Sequence, residues 1–293
     1  MTTSTVTATT GTPIPRKLRL TFGGIMKSEF IKLFTLRSTF WCIVIVVVLS
    51  VGFGLLAATV QAPARAGVPA APALTTAAQQ ATAVSFATIG SQIGELVLAV
   101  LGALVITGEY GTGMIRSTFA AVPKRIPALI AKALVLAITS FVVGLVAIFG
   151  TAATIFPLLP GTKKIHPDWS DWHVIESLIG GAVYLVLIAL IAFCIGAIIR
   201  NSAGGIAAAL GTVLVLPTLV DVVGGLTGAT WIQNIGKVLP SAVGGNLSNY
   251  TGSKTQAVNG LISLDRLDSG IILVAWFVIL FVVAALLLKR RDA

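Results

Sequence analysis

Long apolar stretches recur along the chain and are separated by shorter polar ones. Six of them contain about 20 residues or more, the length that an α-helix needs to cross the hydrocarbon core of a bilayer. Helices are favoured over strands because an open strand cannot satisfy its backbone hydrogen bonds in lipid. The pattern therefore predicts an all-α polytopic membrane protein with six transmembrane helices, at residues 40–60, 84–107, 126–158, 174–199, 203–223 and 270–288.

A second kind of periodicity appears in residues 16–39, just before the first span. Phe22, Met26, Phe30 and Leu33 recur at helical spacing, and polar side chains take the opposite side. This spacing predicts an amphipathic helix that lies in the cytoplasmic interface of the membrane. The alternative is a simple extension of the first transmembrane helix.

The two ends of the chain are polar and flank a transmembrane domain at residues 40–288. Residues 1–15 are mostly Thr with Gly and Pro, so they have too little apolar surface to fold and are predicted to form a disordered cytoplasmic tail. Residues 289–293 form a short basic cytoplasmic tail. The first apolar run begins too far along the chain, and is too long, for a cleaved secretory signal.

Composition and charge agree with this topology. The chain is 56% hydrophobic and only 10% charged, whereas a soluble domain has roughly a quarter charged residues. Its net charge of +10 does not indicate nucleic-acid binding, because the basic residues flank the apolar runs. Cytoplasmic loops are enriched in Lys and Arg. With both termini in the cytoplasm, 14 of the 20 basic residues are inside, and the outer ones are Arg65, Lys163, Lys164, Lys237, Lys254 and Arg266.

The longest outer loop is predicted at residues 224–269. Residues 229–240 within it are half apolar but too short to cross a bilayer. This pattern predicts a short outer helix or a re-entrant segment between the fifth and sixth spans, since irregular backbone is tolerated where protein or water covers it.

The sequence contains no motif for catalysis. It has neither a glycine-rich phosphate loop ending in Lys-Ser or Lys-Thr nor a Gly-x-Ser-x-Gly nucleophile turn. His166 and His173 lie in one outer loop beside two Asp residues, which resembles a metal site in composition. An interfacial turn with two Trp residues is the favoured interpretation, so no metal, no catalytic residue and no cofactor is predicted for this chain.

Ionisable residues inside the apolar spans are costly and therefore functional candidates. Glu95 lies near the middle of the second span, and it either lines a polar path or subunit contact or packs as a neutral, hydrogen-bonded group. Lys132 can extend to the cytoplasmic surface, and Asp221 is near the outer face. Pro217 is expected to kink the fifth span. Glu95, Pro217 and Asp221 are the candidates for a substrate path.

The most informative polar segment follows the second span, at residues 108–125. Together with residues 28–33 and 36–39 before the first span, it resembles the membrane subunits of ABC exporters of the type-2 permease family. The segment 28–39 is similar to the interfacial elbow helix of those permeases. The motif after the second span comprises Glu109, Gly111, Thr112, Arg116, Ser117, Thr118, Pro123, Arg125 and Lys132.

The resemblance implies a coupling helix, at residues 111–122, that docks on a separate ATPase. Thr112 would cap it, and Ile115, Thr118 and Phe119 would share one side. Basic side chains would contact acidic partner groups. A positively charged inside loop that only holds topology is the alternative. The predicted ATPase-coupling residues are Glu109, Gly111, Thr112, Ile115, Arg116, Thr118, Phe119, Lys124 and Arg125.

The same resemblance implies a complex of two permease subunits, here a homodimer, with two ATPase subunits that bind ATP and magnesium. Such a complex in the plasma membrane would export an amphiphilic or lipophilic substrate, such as a drug, antibiotic, peptide or lipid, by alternating access. Two alternatives come from other classes. One is an ion-coupled secondary transporter that uses Glu95, and the other is a membrane-embedded enzyme with its site at residues 166–173.

Overall fold

The structure, a computed structural model, describes residues 21–60, 74–115, 125–251 and 260–290. Among these residues 86% are helical and no strand is present, as predicted. The helices are α1 (Phe22–Thr35), α2 (Arg37–Thr59), α3 (Thr76–Thr88), α4 (Ser91–Gly111), α5 (Arg125–Ile155), α6 (Leu159–Lys163), α7 (Trp172–Ile199), α8 (Ser202–Leu210), α9 (Leu216–Thr227), α10 (Thr230–Val238), α11 (Pro240–Ser248) and α12 (Arg266–Arg290).

Six helical segments of the described chain are long and apolar enough to cross a membrane. The prediction of six spans is therefore confirmed, with shifts at their ends. The second span begins at Thr76, earlier than the pattern suggested, and is divided by a turn at Ile89 and Gly90. Its first part, α3, has few large apolar residues, which is why its sequence resembled a loop. The six spans are Arg37–Thr59, Thr76–Gly111, Arg125–Ile155, Trp172–Ile199, Ser202–Thr227 and Arg266–Arg290.

Helix α7 forms the centre of the bundle. It contacts α4, α5, α8, α11 and α12, and 67% of its most apolar window is buried inside the protein. Its contact with α4 depends on Gly102, where an added Cβ would lie 2.2 Å from the carbonyl oxygen of Ala189. Small residues allow this close approach of helix backbones, which is a common basis of helix association in membranes.

The fifth span contains a wide turn ahead of Pro217. Residues Gly211–Val215 form a π-helical turn between α8 and α9, and the N–H of Leu216 donates to the carbonyl of Gly211. A proline in a regular helix clashes with the carbonyl four residues earlier and removes one hydrogen bond. The π-helical turn accommodates Pro217, and such turns often occur at functional positions.

The loop between the fifth and sixth spans contains the two short helices α10 and α11 where a short outer helix was predicted. Gln233 on α10 donates from Nε2 to the carbonyl of Gly224 on α9, at 3.1 Å. The indole N–H of Trp276 on α12 donates to the carbonyl of Val238, at 3.0 Å. These bonds hold α10 against α9 and α12.

The turn that contains both histidines is held by hydrogen bonds to neighbouring segments. Gln80 on α3 donates to the carbonyl of His166 at 3.1 Å. The hydroxyl of Tyr250 donates to Asp171 Oδ2 at 2.6 Å, and this bond, together with burial and the negative charge, raises the pKa of Tyr250 to about 12. Within the described ranges no three His, Cys, Asp or Glu side chains are grouped as a metal site requires.

Candidate functional site

Helix α1 brings charged side chains to one end of the bundle. Thr21 caps it by accepting a hydrogen bond from the N–H of Gly24 at 3.3 Å. The apolar residues Phe22 and Phe30 are each 47% exposed, whereas Glu29 is only 4% exposed. The face of α1 that contacts the protein therefore contains a carboxylate, and much of its apolar face is exposed.

Four charged side chains meet where α1, α4 and α5 converge, and we call them the charge cluster: Glu29, Lys32, Glu109 and Lys132. Lys132 Nζ lies 2.8 Å from Glu109 Oε1 and also donates to Glu29 Oε2. Lys32 Nζ lies 2.9 Å from Glu29 Oε1 and 3.2 Å from Glu109 Oε1. The cluster thus connects α1, the end of the second span and the start of the third.

The charges of this cluster must balance because most of them are buried. Glu29, Glu109 and Lys132 are at most 5% exposed, and removing such charges from water costs several kcal/mol for each ion. The negative charges of the two carboxylates and the positive charges of the two ammonium groups balance, and this pairing offsets the cost of burying them. Lys132 was expected to reach the membrane surface; it is instead buried, because two carboxylates in the protein supply the partners that water would have supplied.

Two arginines hold the end of α12 at the same end of the bundle. Arg125 Nη1 donates to the carbonyl of Leu288 at 3.2 Å, and Arg200 Nη2 donates to that of Leu287 at 3.2 Å. The last carbonyls of a helix have no partner within it and carry partial negative charge, so basic side chains stabilise them. Arg200 also lies over the ring of Tyr110, 5.4 Å from its centroid.

The predicted coupling residues that the structure describes do not all face solvent. Glu109 belongs to the charge cluster, Gly111 is the last residue of α4, and Ile115 is 5% exposed. Thr112 was expected to cap the start of the next helix, but its hydroxyl donates to the carbonyl of Gly108 at 2.9 Å and so closes α4. A threonine hydroxyl readily bonds the carbonyl four residues earlier.

Four predicted coupling residues lie outside the described residues: Arg116, Thr118, Phe119 and Lys124. The coupling role therefore stays a prediction for the whole set. Sequence reasoning did not select Glu29 or Lys32 as site residues. The sequence feature that could have indicated an ion pair was their spacing of three residues on a helix, which places the opposite charges side by side.

The three candidates for a substrate path lie on different elements. Glu95 on α4 is 8% exposed, and its Oε2 has no hydrogen-bond partner among the described residues. Pro217 is half-buried near the start of α9. Asp221 is exposed on α9 beside Gly236 of α10, where an added Cβ would lie 3.3 Å from Asp221 Oδ1. Their role in a substrate path stays a prediction.

The charge cluster predicts how stability depends on pH. Burial alone would raise the pKa of Glu29, but the ammonium groups of Lys132 and Lys32 outweigh it and lower that pKa below its usual 4.5. Burial would lower the pKa of Lys32, but Glu29 and Glu109 outweigh it and raise that pKa above 10.5. The contribution of Glu29 is complete above its unfolded pKa and lost in acid, and that of Lys32 is lost in alkali.

We therefore expect Glu29→Gln to lower the apparent melting temperature of the detergent-solubilised protein by a constant amount between about pH 5 and pH 10. The difference from wild type should shrink in more acidic buffer, as the wild-type carboxylate becomes protonated. Melting curves of both proteins at several pH values measure this difference in melting temperature. A difference that increases on acidification would contradict this account of the cluster.

The comparison with protein families decides the class. A model of an ABC-2 family transporter protein matches residues 25–218. The chain belongs to the ABC-2 transporter family. The match covers α1 from Ile25 onward and the first four spans, and it ends just after the π-helical turn of the fifth. Comparison with curated proteins found no match.

Membership confirms the resemblance that residues 28–39 and 108–125 indicated. This ABC-2 permease is a multi-pass membrane subunit of an ABC transporter and is not itself a catalytic enzyme. The family implies association with an ABC ATPase. In the ABC-2 permease, the charge cluster joins α1 to both helices that flank the predicted coupling segment.

Proposed function

We propose that this ABC-2 permease works as a homodimer with two ATPase subunits, which bind ATP and magnesium, and exports an amphiphilic or lipophilic substrate across the plasma membrane. Both termini and residues 108–125 lie in the cytoplasm in this proposal. The observation that carries it is the match to the family over residues 25–218, which include the whole segment 108–125.

The charge cluster supports a coupling role for that segment. Residues 108–125 begin at the end of α4 and lead into α5, and Glu109 and Lys132 join these two helices to α1. Ion pairs with three elements resist relative sliding, because a separated partner would leave an unpaired charge in a buried place. Movement of the segment by an ATPase would then move α1, α4 and α5 together and change access to the interior.

The exposure of the outer spans supports a second permease subunit. Only 17% of the most apolar window of α2 is buried within one subunit, and the value is 11% for the fifth span. By contrast 67% of the corresponding window of α7 is buried. Large apolar faces on α2 and on the fifth span are therefore available to lipid and to a second copy of the chain.

An ion-coupled transporter that uses Glu95 is the second candidate function. Its basis is the buried Glu95 Oε2, which has no hydrogen-bond partner among the described residues, since intramembrane carboxylates often serve as proton sites. The two candidates differ in energy source. Transport that persists without any ATPase and follows a proton gradient would favour the ion-coupled mechanism.

The decisive experiment for the export complex is purification of the ATPase with the tagged permease. We expect Arg116→Glu and Phe119→Asp each to reduce the recovered ATPase at least tenfold, because they reverse a charge and place a charge in an apolar contact. Lys237→Glu on α10 is the matched control and should recover wild-type amounts, since this exposed lysine lies outside the predicted coupling segment. Unchanged recovery and ATP-dependent transport in both coupling variants would reject the coupling assignment.

A further inference from the structure

A cavity of about 430 Å³ lies beside the charge cluster. Its walls come from α1, the first turn of α2, the end of α4 and the first half of α5. Most of its lining is apolar and includes Leu33, Leu101, Val105 and Leu136. The volume is within the range of about 300–1,000 Å³ that is typical of small-molecule sites.

Two buried polar atoms in the walls of this cavity have no hydrogen-bond partner within the described ranges. They are Glu109 Oε2 and Thr39 Oγ1, from side chains that are 4% and 1% exposed. A buried polar atom without a partner costs free energy, so native proteins rarely leave one unmatched. Two such atoms in one cavity indicate a ligand that supplies hydrogen-bond donors.

The charges indicate which donor suits the site. Glu109 Oε1 already accepts from Lys32 and Lys132, which leaves Oε2 as a carboxylate oxygen open to one more donor. A primary ammonium group has three N–H donors and a positive charge, so it can bond a carboxylate oxygen and still donate to a hydroxyl oxygen. Lys32 and Lys132 also line the cavity, but both already donate to Glu29 and Glu109. An anionic head group has no N–H group to donate to Glu109 Oε2.

The shape of the cavity indicates an apolar chain on that head group. Gly108 forms part of the wall, and a Cβ added there would meet no atom within 4 Å. Leu36 and Met114 also line the cavity and are 50% and 44% exposed, which gives it an apolar rim. An alkyl chain can therefore lie along the leucine-rich walls and extend over this rim into the surrounding bilayer.

We propose that this cavity binds an amphiphile with a primary ammonium head group, which bonds Glu109 Oε2 and Thr39 Oγ1, and an alkyl chain on the apolar walls. Aminophospholipids of the bilayer and soluble long-chain amines share this chemistry. Binding requires neither ATP nor an ATPase, so it can be measured on the permease alone and stands apart from the proposed export mechanism.

The test uses a photoreactive dodecylammonium ion and the purified permease in phosphatidylcholine nanodiscs, because the quaternary ammonium of that lipid has no N–H donor. We expect saturable crosslinking to peptides from α1 and α4. Unlabelled dodecylammonium should displace the probe and dodecyl sulfate should not. Adding phosphatidylethanolamine separates the two sources: competition would identify the bilayer lipid as the ligand, and its absence a soluble amine.

Two variants and one control locate the site. Gly108→Leu should abolish saturable crosslinking, because its side chain fills the cavity. Thr39→Val removes a hydroxyl that has no hydrogen-bond partner among the described residues, so it should retain the melting temperature while weakening binding about fivefold. Gly150→Leu, at another helix position where an added Cβ meets nothing within 4 Å, should bind as wild type. Wild-type crosslinking in Gly108→Leu, or equal displacement by dodecyl sulfate, would overturn the proposal.

Discussion

Replacing Lys132 with methionine is expected to prevent most of the protein from reaching a stable fold. Lys132 is 5% exposed and pairs with both Glu29 and Glu109. Methionine would leave two buried carboxylates with Lys32 as the only remaining cation of the cluster. Breaking a buried pair in this way costs about 3–5 kcal/mol, which is a large part of the stability of a typical domain. Monodisperse yield and apparent melting temperature in detergent measure the effect.

Two variants separate this explanation from a general loss of positive charge. Lys27→Met removes a lysine from the exposed side of α1 and should leave yield and melting temperature nearly unchanged. Glu29→Gln combined with Lys132→Met leaves one carboxylate and one ammonium, so it should recover much of the lost stability. Coupling of this kind is expected between residues in one ion-pair network. Equal behaviour of Lys132→Met and Lys27→Met would show that the cluster does not hold the fold together.

Gly102→Ala should disrupt the packing of α4 on α7. The added Cβ would lie 2.2 Å from the carbonyl oxygen of Ala189 and 3.0 Å from its carbonyl carbon. Both atoms belong to the backbone, so no side-chain rotation can relieve the clash and the helices must separate. Overpacking of a core costs about 1–3 kcal/mol and sometimes more. We expect a marked fall in melting temperature and in the yield of folded permease.

Gly108→Ala is the matched control, on the same helix and with the same change. An added Cβ at Gly108 meets nothing within 4 Å, and alanine is favoured over glycine in a helix interior at either position. The difference between the two variants therefore measures the contact with α7. If both variants had the same melting temperature, the close approach of α4 and α7 would not contribute to stability.

The hydrophobic pattern was sufficient for the spans because each must contain a continuous apolar run of a set length. It placed the start of the second span too late because α3, Thr76–Thr88, is rich in Ala, Thr and Gln. These residues are tolerated where neighbouring helices cover them, and in α3 the buried positions are Gln80, Ala83, Val84, Ala87 and Thr88. Burial by other helices is tertiary information that a local pattern does not contain.

The charge cluster likewise could not be predicted from the local sequence pattern. Lys132 was visible as a charge in an apolar run and Glu109 as a motif residue, but their contact joins α4 to α5 and both to α1. Such pairing depends on how three helices converge. Thr39 Oγ1 and Glu109 Oε2, which lack a hydrogen-bond partner in the described part of the chain, line a cavity formed by the same convergence, so the cavity had no signal in the sequence.

The charge cluster also constrains the order in which the protein can be built. Glu29 and Lys132, which form one of its ion pairs, are separated by 103 positions along the chain. During synthesis α1 leaves the ribosome long before α5, so Glu29 has no Lys132 to meet until the third span has entered the membrane. Until then α1 cannot form its full set of ion pairs, so its final packing has to follow insertion of the first three spans.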